Sequence, residues 1–524
     1  MLSSEIERNE HFLEGLRLMT EGKAFTFITG RAGTGKSTLL QCFLNETHLM
    51  IPVLAPTGVA ALNVEGETIH SFFRFAPGIT VKDAEHIGIT KRGDKLYKKL
   101  DAIIIDEISM VRADLMDCID AFLRACRKSK RPFGGIRIIA IGDLYQLPPV
   151  VNSAERDAFK LAYDSPYFFA SRAFRTLLAE GDVSFLELET VYRQKDPTFV
   201  SLLNAVRNRT VTSTDLKPLY SRAKMPHPDA IILTPTNDAA NATNEERLDA
   251  LPGEAVIFTS EARGEFPKKD MPTDERLHLK KGARVMCIAN DQRGRYVNGS
   301  LAMVTGFFTD EQGNQCVDIQ LDSGPEISIE PRTWTLYRST YNKKEKQLDQ
   351  EKLGSFTQIP LRLAWAVTIH KSQGKSFDRV TLDLGNGAFA AGQTYVALSR
   401  CRTLEGLTLV KPLTTSQIRL DYAVMRFLTK LQYALSGREM STDEKVALLK
   451  NAAFERRTLE MTYLSVNDER TTRRIKPRSV SEDEFEGHHF LALRAYCFLR
   501  KGERRFNVDR ILELKEVESE EIAT

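Results

Sequence analysis

The chain is poor in the features that would place it outside an ordinary cell interior. Its 524 residues include only seven cysteines, scattered, with no C-x-x-C pair and no close histidine partner. That argues against a disulfide framework or a zinc site and fits a reducing compartment. Net charge is almost absent: 73 basic residues against 70 acidic ones leave +3. Bulk charge therefore names no partner, and any nucleic-acid groove must be local. No apolar run approaches the roughly 20 residues that a membrane span needs. The opening stretch, MLSSEIERNEHF, is too polar and acidic for a signal peptide. There is no internal repeat and no low-complexity stretch. The expectation is a soluble, cytoplasmic protein with no membrane partner.

What is present is an ordinary globular composition, 42% hydrophobic and 27% charged, in a chain too long for one core. Three or four domains are expected. From Ala24 to Asp143, AFTFIT, IPVLAP, DAIIID and IRIIAIGD read as buried strands of a parallel sheet. Between the last two, LMDCIDAFLRACR places Leu115, Ile119, Phe122 and Cys126 at helical spacing, as a crossover helix does. A second α/β set follows, with VSFLELET, DAIILTPT, RVTLDL and LTLVKPL as its strands. It is interrupted from about Gly282 to Pro360 by short strands and turns, the pattern of a small inserted β-barrel or meander. Residues 414–436 read as one helix capped by Thr414 or Thr415, and the tail, 441–524, differs in composition.

Chemistry first shows in GRAGTGKS, Gly30 to Ser37, where a strand ends and a helix begins. Gly33 and Gly35 let the backbone approach phosphates, so that N–H groups and the helix N-terminus face negative charge. Lys36 is expected to pair with β- and γ-phosphates, and the Ser37 hydroxyl to ligate Mg2+. A second strand, in IIIDEISM, delivers Asp106 and Glu107 at its end. Asp106 would hold the magnesium through water, and Glu107 would polarise the attacking water. In GDLYQLPPV, Gln146 could report on the γ-phosphate through a segment stiffened by proline. ATP and Mg2+ are the expected cofactors.

Six stretches occur in order: PTGVAALNVEGETIHSFF, IIIDEISM, PFGGIRIIAIGDLYQLPPV, LETVYRQ, LAWAVTIHKSQG and YVALSRCR. Together they resemble the motifs of a superfamily-one DNA helicase of the five-prime to three-prime branch. The nearest family is the Pif (petite integration frequency) helicases, because PFGG precedes the glutamine motif. The resemblance covers about residues 24 to 412. It implies an α/β fold of two tandem RecA-like P-loop domains: 1–180, with a wedge insertion near 73–99, and 181–281 joined with 361–436. The inserted small β-barrel would span 282–360.

The resemblance also implies site residues. Arg193 and Arg400 would reach the γ-phosphate from the second domain, their planar forks binding phosphate in two places. Thr34, Thr38 and Gly374 join Gly33, Gly35, Lys36, Ser37, Gln146 and the two arginines at the nucleotide. DNA contacts are implied at Thr57, Gly58, His70, Phe72, Pro148, Thr234, Asn237, Asn298, Gly299, His370, Lys371 and Ser372. Phe72 and Phe73 could stack on bases or fill the core. Most of the polar groups suit phosphate and sugar, so the grip is expected to tolerate sequence. The family's adenine-reading glutamine has no counterpart before the phosphate loop; Asn9 could substitute.

In the tail, RTLEMTYLS, RRIKPRSV and FLALRAYCFLRKGERRFNVDRILEL resemble a WYL domain, a small β-rich module common in bacterial regulators. Leu491, Ala492 and Leu493 stand where the naming trio would be. Arg494, Arg500, Lys501, Arg504, Arg505 and Arg510 make a basic cluster suited to nucleic acid, or else to a solvated strand face balanced by Glu503, Asp509 and Glu513. The resemblances together imply a bacterial, nucleoid-associated helicase, monomeric in solution with DNA-induced association, acting on single-stranded and tailed duplex DNA. Two rivals remain: a RecD-like subunit of a recombination complex, and a DNA-bound ATPase switch acting through the tail.

Overall fold

A computed structural model describes the chain apart from residues 1–7, 77, 152–154, 195, 221–228, 292, 323, 343–346, 386, 388–389, 466–469, 486–487 and 518–524. It divides into two compact units, Met1–Leu420 and Asp421–Thr524.

The first unit opens with a six-stranded sheet built from β1 (Phe25–Gly30), β2 (Val53–Ala55), β3 (Glu67–Thr68), β4 (Ala102–Ile105), β5 (Arg137–Ile141) and β6 (Val183–Leu188). The strands run in the order β3-β2-β4-β5-β1-β6, and every pairing is parallel. β1 and β4 are buried along their whole length because helices cover both faces. The crossover helix forms at Ala113–Arg127 and buries Met116, Ile119, Phe122 and Cys126. β6 departs from expectation. Its place in the chain assigns it to the second α/β set, yet it pairs with β1 from Phe25↔Val183 to Gly30↔Leu188. An apolar run alone does not say which sheet it joins.

The second sheet is parallel and four-stranded, with β7 (Ile231–Thr234) between Ala366–Thr368 and Val380–Leu382, and Leu407–Leu409 outermost. Between β7 and Ala366 lies the insertion. No closed barrel forms among the described residues. Instead five antiparallel strands lie in the order Glu326–Ile329, Gln315–Leu321, Leu301–Thr309, Arg284–Cys287, Leu361–Leu363. The two edge strands do not meet, as closure would require. The chain between them forms a long hairpin, Arg332–Asn342 with Gln347–Gln358, which pairs with Glu261–Gly264.

The expected single helix at 414–436 is two elements. Thr414 caps only a short turn, Thr415–Gln417, and a new helix, Tyr422–Glu439, starts at Asp421, whose carboxylate accepts from Ala423 N. That helix belongs to the second unit rather than to the second α/β domain, since Ser436 Oγ donates to Leu512 O. The unit continues with Thr442–Phe454, opened by a Ser441/Glu444 capping box. Its antiparallel sheet runs Gly502–Asn507, His488–Cys497, Arg470–Phe485, Leu459–Leu464, Ile511–Glu516.

Candidate active site and nucleic-acid interface

The loop after β1 turns through two left-handed glycines, Gly33 (φ +81°) and Gly35 (φ +85°), before the helix Lys36–Glu46. At Gly33 a side chain is impossible: a Cβ there would lie 2.4 Å from Arg193 Cβ. Lys36 Nζ donates to Gly30 O (2.7 Å) and Arg31 O (3.0 Å), and burial holds its pKa below the ordinary lysine value. Thr34 Oγ1 donates to Arg31 O, Ser37 is exposed and Thr38 half-buried. The loop is thus curled around its own cation, with its carbonyls holding the ammonium.

Asp106 and Glu107 follow β4, and Glu107 takes a left-handed conformation (φ +51°). Burial pushes both carboxyls up, Glu107 to about 7, with neighbouring Asp106 adding to it. The buried Gln146 follows β5, its Nε2 donating to Asp143 Oδ2 at 3.2 Å.

The second domain meets this site through a short helix, Gln393–Leu398, and the segment that precedes it. Gln373 Nε2 donates to Glu107 Oε2 (3.0 Å) and Gln146 Oε1 (3.3 Å). The phenol of Tyr395 accepts from Ala32 N at 3.0 Å and is raised to about 12 by burial. Arg400 is fully buried; its guanidinium donates to Val396 O, Lys375 O and Ser399 Oγ. Burial, then Arg193, lowers it to about 9. Arg193 lies against Gly33, burial lowers its pKa too, and its buried Nη1 has no hydrogen-bond partner among the described residues. Lys36, Glu107, Gln146, Arg193 and Arg400 therefore converge, with exposed Gly374 beside Gln373.

Several members of this site carry no sequence signal of their role. Gln373 sits in the HKSQG stretch beside Gly374, which marks its place but not its reach. Gln194 Nε2 donates to Ser399 O and Cys401 O, both at 3.1 Å, and so ties the chain after Arg193 to that around Arg400. Arg207 is buried over the Tyr145 ring (4.1 Å) and paired with Asp143 (3.4 Å) and Glu187 (3.3 Å). Burial opposes its charge, but the two carboxylates more than offset this and raise its pKa. Nothing in its local pattern, FVSLLNAVRN, marks it out. Asn9 Oδ1 caps the helix Glu10–Glu21, and its Nδ2 donates to Thr190 Oγ1 (3.1 Å) and to the hydroxyl of Tyr192 (2.9 Å), whose backbone N–H donates to Gly33 O of the phosphate loop.

The expected DNA contacts divide. Thr57 is exposed at the N-cap of Gly58–Asn63, while Gly58 is buried against Asp270. His70, Pro148 and His370 are half-buried, and Asn237 and Lys371 are exposed. Asn298 Nδ2 donates to Asn63 Oδ1 (3.1 Å) across the domains, and Gly299 (φ +101°) packs near Lys375. Three residues are corrected. Phe72 is 1% exposed and packs edge-to-face on Phe73 and Tyr97, so it fills the core. Ser372 is buried with its hydroxyl on Ile369 O, and Thr234 is buried with its hydroxyl on Thr236 O. All three satisfy their own domain rather than face a strand.

In the second unit the expected arginine cluster splits. Arg494 stands opposite Arg505 on adjacent strands, and Arg505 pairs with Asp483 (3.0 Å). Arg504 alternates to the other face, Arg510 donates to Ser465 O (2.7 Å), and Arg500 and Lys501 lie exposed in the turn before Gly502.

Comparison with known proteins agrees with this geometry. Residues 11–217 match the PIF1-like helicase model and residues 444–516 the WYL domain model. The chain is 36% identical over 461 residues to the ATP-dependent DNA helicase PIF1 of Rattus norvegicus, covering 85% of this chain and 67% of that protein. It spans a similar 66% of the human protein. To the Pif1 of Bdellovibrio bacteriovorus it is 33% identical, over 78% of this chain and 88% of that one. The crystal structure of Bacteroides sp Pif1 in complex with ADP-AlF4 superposes with a TM-score of 0.71 at 34% identity, covering 81% of this chain and 97% of that one. With two α/β domains closing on one phosphate loop, and with bacterial relatives matched across most of their length, the chain belongs to the PIF1-like helicase family.

Proposed function

We propose that the chain is an ATP-driven DNA helicase that moves along single-stranded DNA from five-prime to three-prime and parts the duplex ahead of it. The observation that carries this is the reach of Gln373 from the second domain to both Glu107 and Gln146 of the first. Catalytic carboxylate, phosphate-facing glutamine and second domain are thereby one unit, as a motor that moves by opening and closing a cleft requires.

In this reading Lys36 exchanges its two loop carbonyls for the β- and γ-phosphates. Gly33, Thr34, Gly35 and Thr38 shape the loop around them, and Glu107 polarises the attacking water. Arg193, whose Nη1 lacks a partner among the described residues, and Arg400 supply positive charge where negative charge develops. ATP then draws the domains together, and its hydrolysis releases them. The exposed Ser37 hydroxyl and the Asp106 carboxylate are hard oxygen donors that fit Mg2+. Bound there, magnesium would neutralise phosphate charge.

Thr57, His70, Pro148, Asn237, Asn298, Gly299, His370 and Lys371 form the strand-gripping set, with Gly58 shaping the close contact beside Thr57. A Bacteroides Pif1 structure holds single-stranded DNA, which supports DNA as the partner. Residues 73–99, including the helix Val81–Thr90, take the place of the wedge. A structure of two coordinating Pif1 helicases at forked duplex DNA supports association of copies on DNA. In the WYL unit, Arg494 and Arg505 are the pair suited to an added nucleic-acid contact. The match to Pif1 helicases over four fifths of the chain favours a free-standing motor over a RecD-like subunit.

The test is strand separation with ATP and magnesium on two duplexes, one with a five-prime tail and one with a three-prime tail, with Lys36→Ala as the blank. Opening of only the five-prime-tailed duplex, lost in the blank, is expected. Opening of only the three-prime-tailed duplex would overturn the polarity, and DNA-stimulated ATP hydrolysis without any opening would overturn the helicase.

A further inference from the structure

The first domain carries a basic surface that neither the nucleotide site nor the single-strand contacts use. Residues 91–99, KRGDKLYKK, hold five lysines and arginines against one acid, and residues 127–131, RKSKR, hold four against none. The fold brings the two segments together through main-chain carbonyls. Arg92 Nε donates to Ala125 O (3.0 Å) and Cys126 Sγ to Lys91 O (3.1 Å). Arg127 Nη1 donates to Tyr97 O (2.6 Å) and Lys98 O (2.9 Å). The one acid, Asp94, is engaged in capping the helix Lys95–Lys99 through Leu96 N. Arg92, Lys95, Lys98, Lys128, Lys130 and Arg131 are left exposed.

Like charges gathered this closely repel one another, and here hydrogen bonds hold them in place. Part of the set has a local reason, since Lys98 and Lys99 complement the dipole at their helix C-terminus. The 127–131 segment has none of that kind beyond its first residues. The fold thus keeps these charges together despite their repulsion.

The composition of the surface narrows the anion it suits. The apolar side chains of 91–99 turn inward: Leu96 and Tyr97 are buried, and Tyr97 packs edge-to-face on Phe72 (5.5 Å) and Phe122 (4.7 Å). No exposed ring remains in the two segments to stack on an unpaired base, which disfavours a single strand. Nor do they keep an exposed apolar anchor for a protein partner. Lysine and arginine heads alone suit a double helix, whose bases face inward and whose phosphates face out. Tyr97 also donates from its hydroxyl to Phe72 O (2.7 Å), so the surface is rigidly joined to the segment that carries His70.

We infer that residues 91–99 and 127–131 form a docking surface for the phosphate backbone of double-stranded DNA, the arm ahead of the tracked strand. This rests on the reading of 73–99 as the wedge.

The test compares the full chain with a variant carrying Lys95→Gln, Lys98→Gln, Lys130→Gln and Arg131→Gln, on a five-prime-tailed duplex and on the tail alone. For the tailed duplex, affinity is expected to fall about tenfold. The slope of log affinity against log salt should shrink by about 0.9 for each phosphate that the variant leaves unneutralised. Affinity for the tail alone, ATP hydrolysis stimulated by it, and the melting temperature should stay at the parent values. A variant with the three lysines changed to arginine should bind the tailed duplex normally. Equal losses on both DNAs would put the surface on the single-strand path, and no loss on either would make it a solvated face; both overturn the inference. Failure of the helicase reading is separable, because it would appear in the unmodified chain as no DNA-stimulated hydrolysis.

Discussion

The side-chain amide of Gln373 donates to Glu107 Oε2 at 3.0 Å, joining a loop of the second α/β domain to the carboxylate at the end of β4 in the first. Its second contact, to Gln146 Oε1, makes it the one described side chain shown bonding to both of those groups. Gln373→Ala removes the coupling without touching the phosphate loop. It should lower kcat for DNA-stimulated ATP hydrolysis at least tenfold and leave KM for ATP within about threefold. Steady-state hydrolysis measures both, and a rise in KM with kcat intact would make Gln373 a binding residue instead.

Two glycines separate close approach from backbone strain. Gly392 (φ +72°) has no room: a Cβ there would lie 2.3 Å from Gln146 O and 2.4 Å from Tyr145 O. Gly374 (φ +78°) has nothing within 4 Å, so alanine there meets only the left-handed strain of about 1–2 kcal/mol. Gly392→Ala should push the domains apart and abolish hydrolysis. Gly374→Ala should lower the melting temperature modestly and cost less hydrolysis than Gly392→Ala. Equal loss in both, seen in hydrolysis and thermal unfolding, would mean that the domain contact at Gly392 is dispensable.

Sequence reading reaches strands, crossover helix and phosphate loop because each is local: a short apolar run, a 3.6-residue period, two glycines before a lysine. It loses ground where partners lie far along the chain. β6 has the same apolar character in either sheet, and only its pairing with β1 decides. Arg207 reads as a helix-end charge until Asp143 and Tyr145, some sixty residues earlier, fold against it. Phe72 is ambiguous by itself, since an aromatic beside a gripping motif can stack on a base, though it more often fills a core. Phe73 and Tyr97, packed edge-to-face on its ring, put it in the core.

That burial yields a clean separation. Phe72→Leu keeps an apolar side chain of lesser volume, whereas Phe72→Ala opens a cavity costing about 3–5 kcal/mol. Both variants should bind single-stranded DNA like the parent where folded, with melting temperatures falling in the order parent, Leu, Ala. Fluorescence anisotropy on labelled DNA beside thermal unfolding tests this. Weaker binding by Phe72→Leu at unchanged stability would return the ring to the DNA.

Lys375, whose carbonyl accepts from Arg400 Nη1, provides a pH signature. Burial, then Arg362, lowers its pKa from 10.5 to about 7, with Met286 Sδ 3.8 Å away and Cys287 pulling weakly in the opposite direction. Between those values the unfolded chain binds a proton that the folded chain has released, so stability should rise with pH from about 7 upward. Lys375→Met deletes that contribution. The difference in unfolding free energy, parent minus variant, should increase between about pH 7 and about pH 9. Denaturant unfolding across that range checks it, and a flat difference would mean that the ammonium stays charged in the fold.

Gln194 addresses how two arginines on separate segments act together. Its Nε2 serves the carbonyls of Ser399 and Cys401, which flank Arg400, while its backbone follows Arg193 directly. The side chain is 3% exposed, so removing it strands two buried carbonyls at about 1–3 kcal/mol each. Gln194→Glu keeps the shape but replaces the donor with a second acceptor, and should be at least as damaging as Gln194→Ala. Both should lower the melting temperature. If Gln194 positions the arginines, kcat will fall further than stability accounts for when hydrolysis is measured well below the variants' melting temperatures. If kcat holds there, the amide is only structural, and Arg400 is placed by its own domain through Val396 O and Lys375 O.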